Sequence, residues 1–103
     1  MRDVFSAIAD PTRRELIRLL AGAGELPLHK MTARFRMGRT AVAKHLAVLK
    51  EAGLVMARRV GRETRYSLNA APLREVQEWV SFYEQFWTDR IDRLKEMLEE
   101  EHE

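Results

Sequence analysis

After Pro72 the chain runs to about Glu101 without Gly or Pro, enough for about 45 Å of continuous helix. Leu73, Val76, Val80, Tyr83, Trp87, Ile91, Leu94 and Leu98 recur in steps of three and four, and Trp79, Phe86 and Met97 widen the stripe. The rest of the chain offers only short elements, too few to cover a stripe of that length. Trp79, Tyr83, Phe86 and Trp87 fall within nine residues, and aromatics are enriched at the cores of interfaces. The stripe therefore predicts a subunit contact; the competing expectation is that the helix folds back and buries it in its own domain. Glu96, Glu99, Glu100, Glu101 and Glu103 crowd the C-terminal end, where negative charge opposes the helix dipole and predicts fraying.

Gly38 to Ala52 reads as a second helix, with two faces of different chemistry. Val42, Leu46 and Leu49 form an apolar stripe. The opposite side gathers Thr40, Ala43, Lys44, Ala47 and Glu51, opening with Arg39. Small residues between cations let a helix approach a phosphate-lined groove closely. Upstream, Leu28 to Phe35 reads as a shorter helix, and Arg36-Met37-Gly38 as a tight turn. Helix, short turn and helix with an accessible N-terminal half is the helix-turn-helix arrangement, whose second helix enters the major groove. Gly38 is an acceptable N-cap without a side chain to satisfy the first amides.

Ala52-Gly53 stops that helix, and two β-prone runs flank Gly61-Arg62, a pair suited to a two-residue type II′ hairpin. That turn pairs Val55 with Leu68 and Ala57 with Tyr66, giving one apolar face. It also sets Arg58 opposite Arg65, with Arg62 at the tip. Like charges directly opposed are destabilising, so the pair predicts an anionic partner beside the hairpin. The other reading is a longer loop that shifts the register and separates the arginines. A basic hairpin after a helix-turn-helix is a wing.

Charge divides the chain the same way. Residues 1–69 carry 14 Lys/Arg against 6 Asp/Glu, and residues 70–103 carry 4 against 10, although the net charge is only +2. The basic part holds the helix-turn-helix and wing, an electrostatic footprint for double-stranded DNA. The 103 residues, 46% hydrophobic, suit one domain. The helix-turn-helix is expected over about 28–52, the wing over about 54–68 and the long helix over about 72–101. There is no Cys, which excludes disulfides and thiolate ligation and suits a reducing, cytoplasmic setting. No apolar run reaches the roughly 20 residues of a bilayer span, and no signal-peptide pattern opens the chain.

Asp3 to Ala9 carries Val4, Phe5 and Ile8 at helical spacing. Asp10-Pro11 then caps and begins another helix, expected to bury Leu16, Ile17 and Leu20 and to end at Gly22 with Gly24. Arg13, Arg14 and Arg18 read as its solvated side. An enzyme is disfavoured: there is no His/carboxylate/nucleophile cluster, no phosphate-binding Gly loop, and the three His lie far apart. No cofactor is implied. His29 reads as a surface residue and His45 as a hydrogen-bonded packing residue. His102, the only His of the last helix, sits beside Glu99 and Glu103, too few ligands for a tight metal site. A third class is a protein-binding module using the aromatic helix.

These residues together resemble the arsenical-resistance (ArsR) family of winged helix-turn-helix repressors, over nearly the whole chain. Ala9-Asp10-Pro11-Thr12-Arg13-Arg14 looks like the family's opening motif, and Thr40 to Val55 is similar to its recognition helix and exit. Gly61-Arg62 and Tyr66-Ser67-Leu68 match its wing. The pattern Trp79, Tyr83, Phe86, Trp87 looks like a branch without metal sites. Gly38 and Ala43 depart from the family, which often has Ser at both places. The resemblance implies an α+β, mostly α fold, with a two-stranded wing and a long C-terminal dimerisation helix. It implies a homodimer joined by the first and last helices, through Val4, Phe5, Val76, Trp79, Val80, Tyr83, Phe86, Trp87, Ile91 and Leu94. DNA would be held by Arg39, Thr40, Ala43, Lys44, Arg58, Arg62 and Arg65, with no metal and a pseudo-palindromic operator. The alternative within the fold is a metal- or ligand-responsive sensor.

Overall fold

The computed structural model describes residues 3–101. Five helices and three strands follow in the order α1 (Val4–Ile8), α2 (Pro11–Ala23), β1 (Glu25–Pro27), α3 (Leu28–Thr32), α4 (Arg39–Glu51), β2 (Val55–Val60), β3 (Glu63–Leu68) and α5 (Leu73–Glu101). Helices α1–α4 and the sheet enclose a core of Val4, Ala7, Leu16, Leu20, Met31, Val42, Leu46, Leu49, Leu54 and Val55. The apolar stripe of α4 is thus buried throughout. Ile17 is half-buried against that core.

Local chemistry sets the helix ends. The Asp3 and Asp10 carboxylates accept from the amides of Ser6 and Arg13, capping α1 and α2. Gly22 lies inside α2; Gly24, at φ 84°, terminates it. At the end of α4, Leu54 N–H bonds Leu49 C=O at 2.9 Å and Gly53 N–H bonds Lys50 C=O at 3.0 Å. With Gly53 at φ 78° this is a Schellman motif, whose apolar clasp is Leu49 against Leu54. Asn69 then ties the exit of β3 back to this corner, through Leu54 C=O and Gly53 C=O.

The arginines of α2 are not a plain solvated face. Arg13 donates to the Ala7 and Ser6 carbonyls at 2.6 and 3.3 Å, and Arg14 to Ile8 C=O at 2.8 Å. Both guanidiniums thus bond carbonyls in the last turn of the five-residue α1, where helix carbonyls lack their full set of intrahelical partners. Arg13 also reaches His45 Nδ1, 3.4 Å away on α4. His45 is half-buried and lies between this guanidinium and the Asp10 carboxylate, whose Oδ2 is 3.9 Å from the same Nδ1. Arg18, exposed like Arg14, pairs instead with Glu15.

The hairpin has the expected register: Val55 pairs with Leu68, Ala57 with Tyr66 and Arg58 with Arg65. Gly61 has φ 64°, and no described non-Gly residue has positive φ, as a type II′ turn requires. The sheet itself is larger than a two-stranded wing. β1 pairs antiparallel with β3, giving the order β1-β3-β2. Three residues ending in Pro show no usable period, and Pro is tolerated there because β1 is an edge strand. The first helix of the helix-turn-helix is also shorter than expected, ending at Thr32 rather than Phe35.

Helix α5 does not fold back. Leu73 and Val76 pack against the core, and Phe5 meets Trp79 edge-to-face at 5.8 Å. Beyond that the helix leaves the domain, and the molecule extends 71 × 28 × 20 Å. Val4 is 3% exposed, so its side chain belongs to the protomer's core and not to an exposed dimer face. α1 is too short to bury Val4 inward and also present it outward. No helix among the described residues is long and apolar enough to cross a membrane.

Candidate nucleic-acid interface

Helix α4 meets solvent along the side opposite its buried stripe. Arg39, Thr40, Lys44 and Ala47 are exposed and Ala43 is half-buried. Gly38 caps the helix without a side-chain hydrogen bond. Its first amides are therefore left for an outside acceptor, in the region where helix amides and dipole favour anions.

Pleat alternation divides the wing's cations between two faces. Arg58 and Arg65 share the outer face with Glu25 of β1. Arg58 grips that carboxylate bidentately, Nε at 2.7 Å and Nη2 at 2.8 Å, and Arg65 Nη1 lies 3.9 Å away. Arg65 also pairs with Glu63 at 3.1 Å. The anion demanded by two opposed arginines is thus supplied within the chain. The sequence reading of that pair as a sign of an external anion is corrected by β1, which brings Glu25 across the sheet. Glu25 is held below the usual carboxylate range, chiefly by the Arg58 hydrogen bonds and further by the two guanidinium charges.

The inner face carries Ala57, Arg59, Thr64 and Tyr66. Past Ala57 the core ends and Arg59 overhangs toward α4. Arg39, Arg59, Arg62, His29, Thr64, Tyr66, Leu28 and Glu63 line a cleft of about 310 Å³ between α3, the start of α4 and the wing. His29 Nδ1 is 3.8 Å from Glu63. Among the described residues, no hydrogen bond or ion pair engages Arg39, Arg59 or Arg62. Sequence reasoning missed Arg59. The signal was present, because the same register that paired Ala57 with Tyr66 puts Arg59 on their face.

Asp10 shows how the base of α4 is braced. The Arg13 amide holds its carboxyl below the ordinary range; partial burial opposes this, and the nearby His45 and Arg13 charges add to it. A carboxylate depressed by folding stabilises above its unfolded pKa, and loses that contribution as pH falls through the folded value. Asp10→Ala should therefore cost about 1 kcal/mol at neutral pH, a gap that closes in acid below the usual carboxylate range. Urea denaturation across pH checks this; a gap independent of pH would separate the loss from the carboxylate charge.

Among the described residues no three His, Cys, Asp or Glu side chains gather to hold a metal; His102 and Glu103 lie outside those residues. The exposed half of α4, its uncapped amides and the basic cleft beside it define a winged helix-turn-helix DNA-binding protein. A helix-turn-helix domain family profile matches residues 8–58. The transcriptional repressor SdpR of Bacillus subtilis is 35% identical over 78% of this chain and 88% of its own length. The arsenic resistance transcriptional regulator ArsR1 of Pseudomonas putida is 38% identical over 75% of the chain and 57% of its length. A solved structure of a possible transcriptional regulator for arsenical resistance superposes with a TM-score of 0.71. It is 38% identical and covers 91% of this chain and 94% of its own. The chain belongs to the ArsR family of helix-turn-helix transcriptional repressors.

Proposed function

We propose that residues 1–103 work as one winged-helix module, acting in the cytoplasm as a homodimer that occupies a pseudo-palindromic operator. The observation that carries this is the partition of basic charge. The guanidiniums of Arg39, Arg59 and Arg62 converge beside the exposed start of α4, while Arg58 and Arg65 are neutralised on the far face. In this reading Arg39, Thr40 and Lys44 approach base edges and phosphates, with Ala43 allowing close approach. Arg59 and Arg62 hold the flanking backbone. Arg58 and Arg65 stiffen the wing through Glu25, and contribute to DNA only indirectly.

The dimer is supported by α5, where Trp79, Phe86, Trp87, Ile91 and Leu94 are all more than half exposed and Tyr83 is 39% exposed. Phe82, absent from the sequence reading of the stripe, is 78% exposed. A contiguous apolar surface on this scale marks an interaction site. We read the protein as not metal-responsive, because it has no Cys and metal sites in this fold need several N, O or S ligands.

Recovering sites from random DNA, then titrating operator and random duplex at two salt concentrations, tests the reading. Affinity should fall steeply with salt through counterion release, and zinc should leave it unchanged. Lys44→Ala should weaken operator binding while stability stays within about 0.5 kcal/mol of wild type. Arg62→Ala should weaken operator and random DNA alike, lowering the salt slope by about one unit. Arg58→Ala should leave that slope unchanged. A slope lost equally in Arg58→Ala would place Arg58 on the phosphates and overturn the partition.

A further inference from the structure

The outer face of the sheet carries a charged cluster, Glu25, Arg58, Arg65 and Glu63, that the DNA reading does not use. We propose that Glu25 is a specificity-determining residue: its carboxylate occupies Arg58 in place of a phosphate, and so denies random DNA a second basic face. The inference rests on the DNA reading and adds a role for an acidic residue within it.

Backbone, and not a flexible loop, delivers this carboxylate. Gly24, at φ 84°, ends α2 and turns the chain directly into β1. There Glu25 pairs with Ser67 of the central strand β3. Leu26 packs against the core and Pro27 is buried, which anchors the strand. Arg58, on the opposite edge strand β2, reaches across β3 to Glu25. A competitor fixed within reach acts at a high effective concentration, and bidentate guanidinium–carboxylate pairs are among the stronger ones. Arg58 is nonetheless 64% accessible, so only the carboxylate separates it from an outside anion. Arg65 has Glu63 as well as Glu25. Loss of the Glu25 charge therefore leaves Arg58 as the uncompensated guanidinium.

Orientation decides which DNA complex responds. On operator, α4 in the groove fixes the docking, and Arg59 and Arg62 turn the inner side of the wing to the duplex. Arg58, on the other face, then points away. Random DNA is held by phosphate contacts without that fixed docking, so any exposed cation can join. Specificity is a difference of affinities, and quenching Arg58 lowers only the unwanted one.

Glu25→Gln keeps the shape of the side chain and the β1 ladder while removing the charge. Its melting temperature should stay close to wild type, since an exposed pair contributes little to folding. Affinity for a random duplex should rise about fivefold near 0.1 M salt, with a salt slope steeper by about one unit. Operator affinity should change by less than about twofold, because the docked wing presents its other face. Equal gains on both duplexes, losses on both, or no change on either overturn the proposal. Glu25→Gln with Arg58→Gln should bind both duplexes as wild type does, because a carboxylate and a guanidinium leave together. Random-DNA affinity several-fold below wild type in that variant would put Arg58 on phosphate despite its pair. That result overturns the proposal even where Glu25→Gln alone fails to fold. A wild-type chain with no salt-dependent affinity for any duplex refutes the DNA reading itself, a result distinct from each of these.

Discussion

Tyr83→Ala combined with Trp87→Ala should lower operator affinity on the order of a thousandfold, towards the level for random DNA, without altering any residue near DNA. The physical reason is tethering. One recognition helix reaches one half-site, and a rigid pair engages two successive grooves at a high effective concentration. Specific binding typically exceeds non-specific binding by about 10³-fold or more, and two truncated aromatics at an interface centre can each cost about 2 kcal/mol. These rings are free of their own domain: Trp79 touches Phe5 and Tyr83, but Phe86, Trp87 and everything beyond lie clear of the core. The protomer core should therefore survive the change. Circular dichroism should stay close to wild type at the α1–α4 level, while sedimentation shifts to monomer. A folded dimer with full affinity would place the interface elsewhere.

Leu46→Ala should have the largest effect on stability, about 3 kcal/mol. Leu46 is 1% exposed and belongs to the buried cluster together with Val42, Leu49, Leu16 and Leu54. Its removal leaves a cavity under α4, adding a cavity cost to the lost burial. For a domain of this size the melting temperature should drop by roughly 15 °C, against a total stability of about 5–15 kcal/mol. Loss of DNA binding should follow unfolding and not precede it. A melting shift of only a degree or two would mean that the core repacks and α4 is not held as described.

Both expectations draw on features that periodicity makes legible. The 3.6-residue stripes of α2, α4 and α5 can be read because each repeats over several turns, and the hairpin can be read because Gly61-Arg62 fixes its register. The cap at Asp10 and the stop at Gly53 follow from residue chemistry. Three-residue β1 has no period to read, yet it brings Glu25 to Arg58 and Arg65 and so supplies the opposed pair with a carboxylate from within the chain. Arg13 and Arg14 look like a solvated face in one dimension. Only the placement of α1 across α2 shows that they satisfy its carbonyls. Arg59 is legible from the hairpin register, which sets it with Ala57 and Tyr66 on the face opposite the Arg58/Arg65 pair; that this face borders α4 follows only from the fold. Phe82 fell outside the three-and-four stripe, although the helix has no second element to cover it.

The most direct test of the account is the mass and footprint of the saturated complex. Sedimentation of the chain on a selected operator duplex should give two chains per duplex, and footprinting should show two protected half-sites centred one helical turn apart. One chain per duplex at saturation, with a single protected half-site and undiminished affinity, would contradict it.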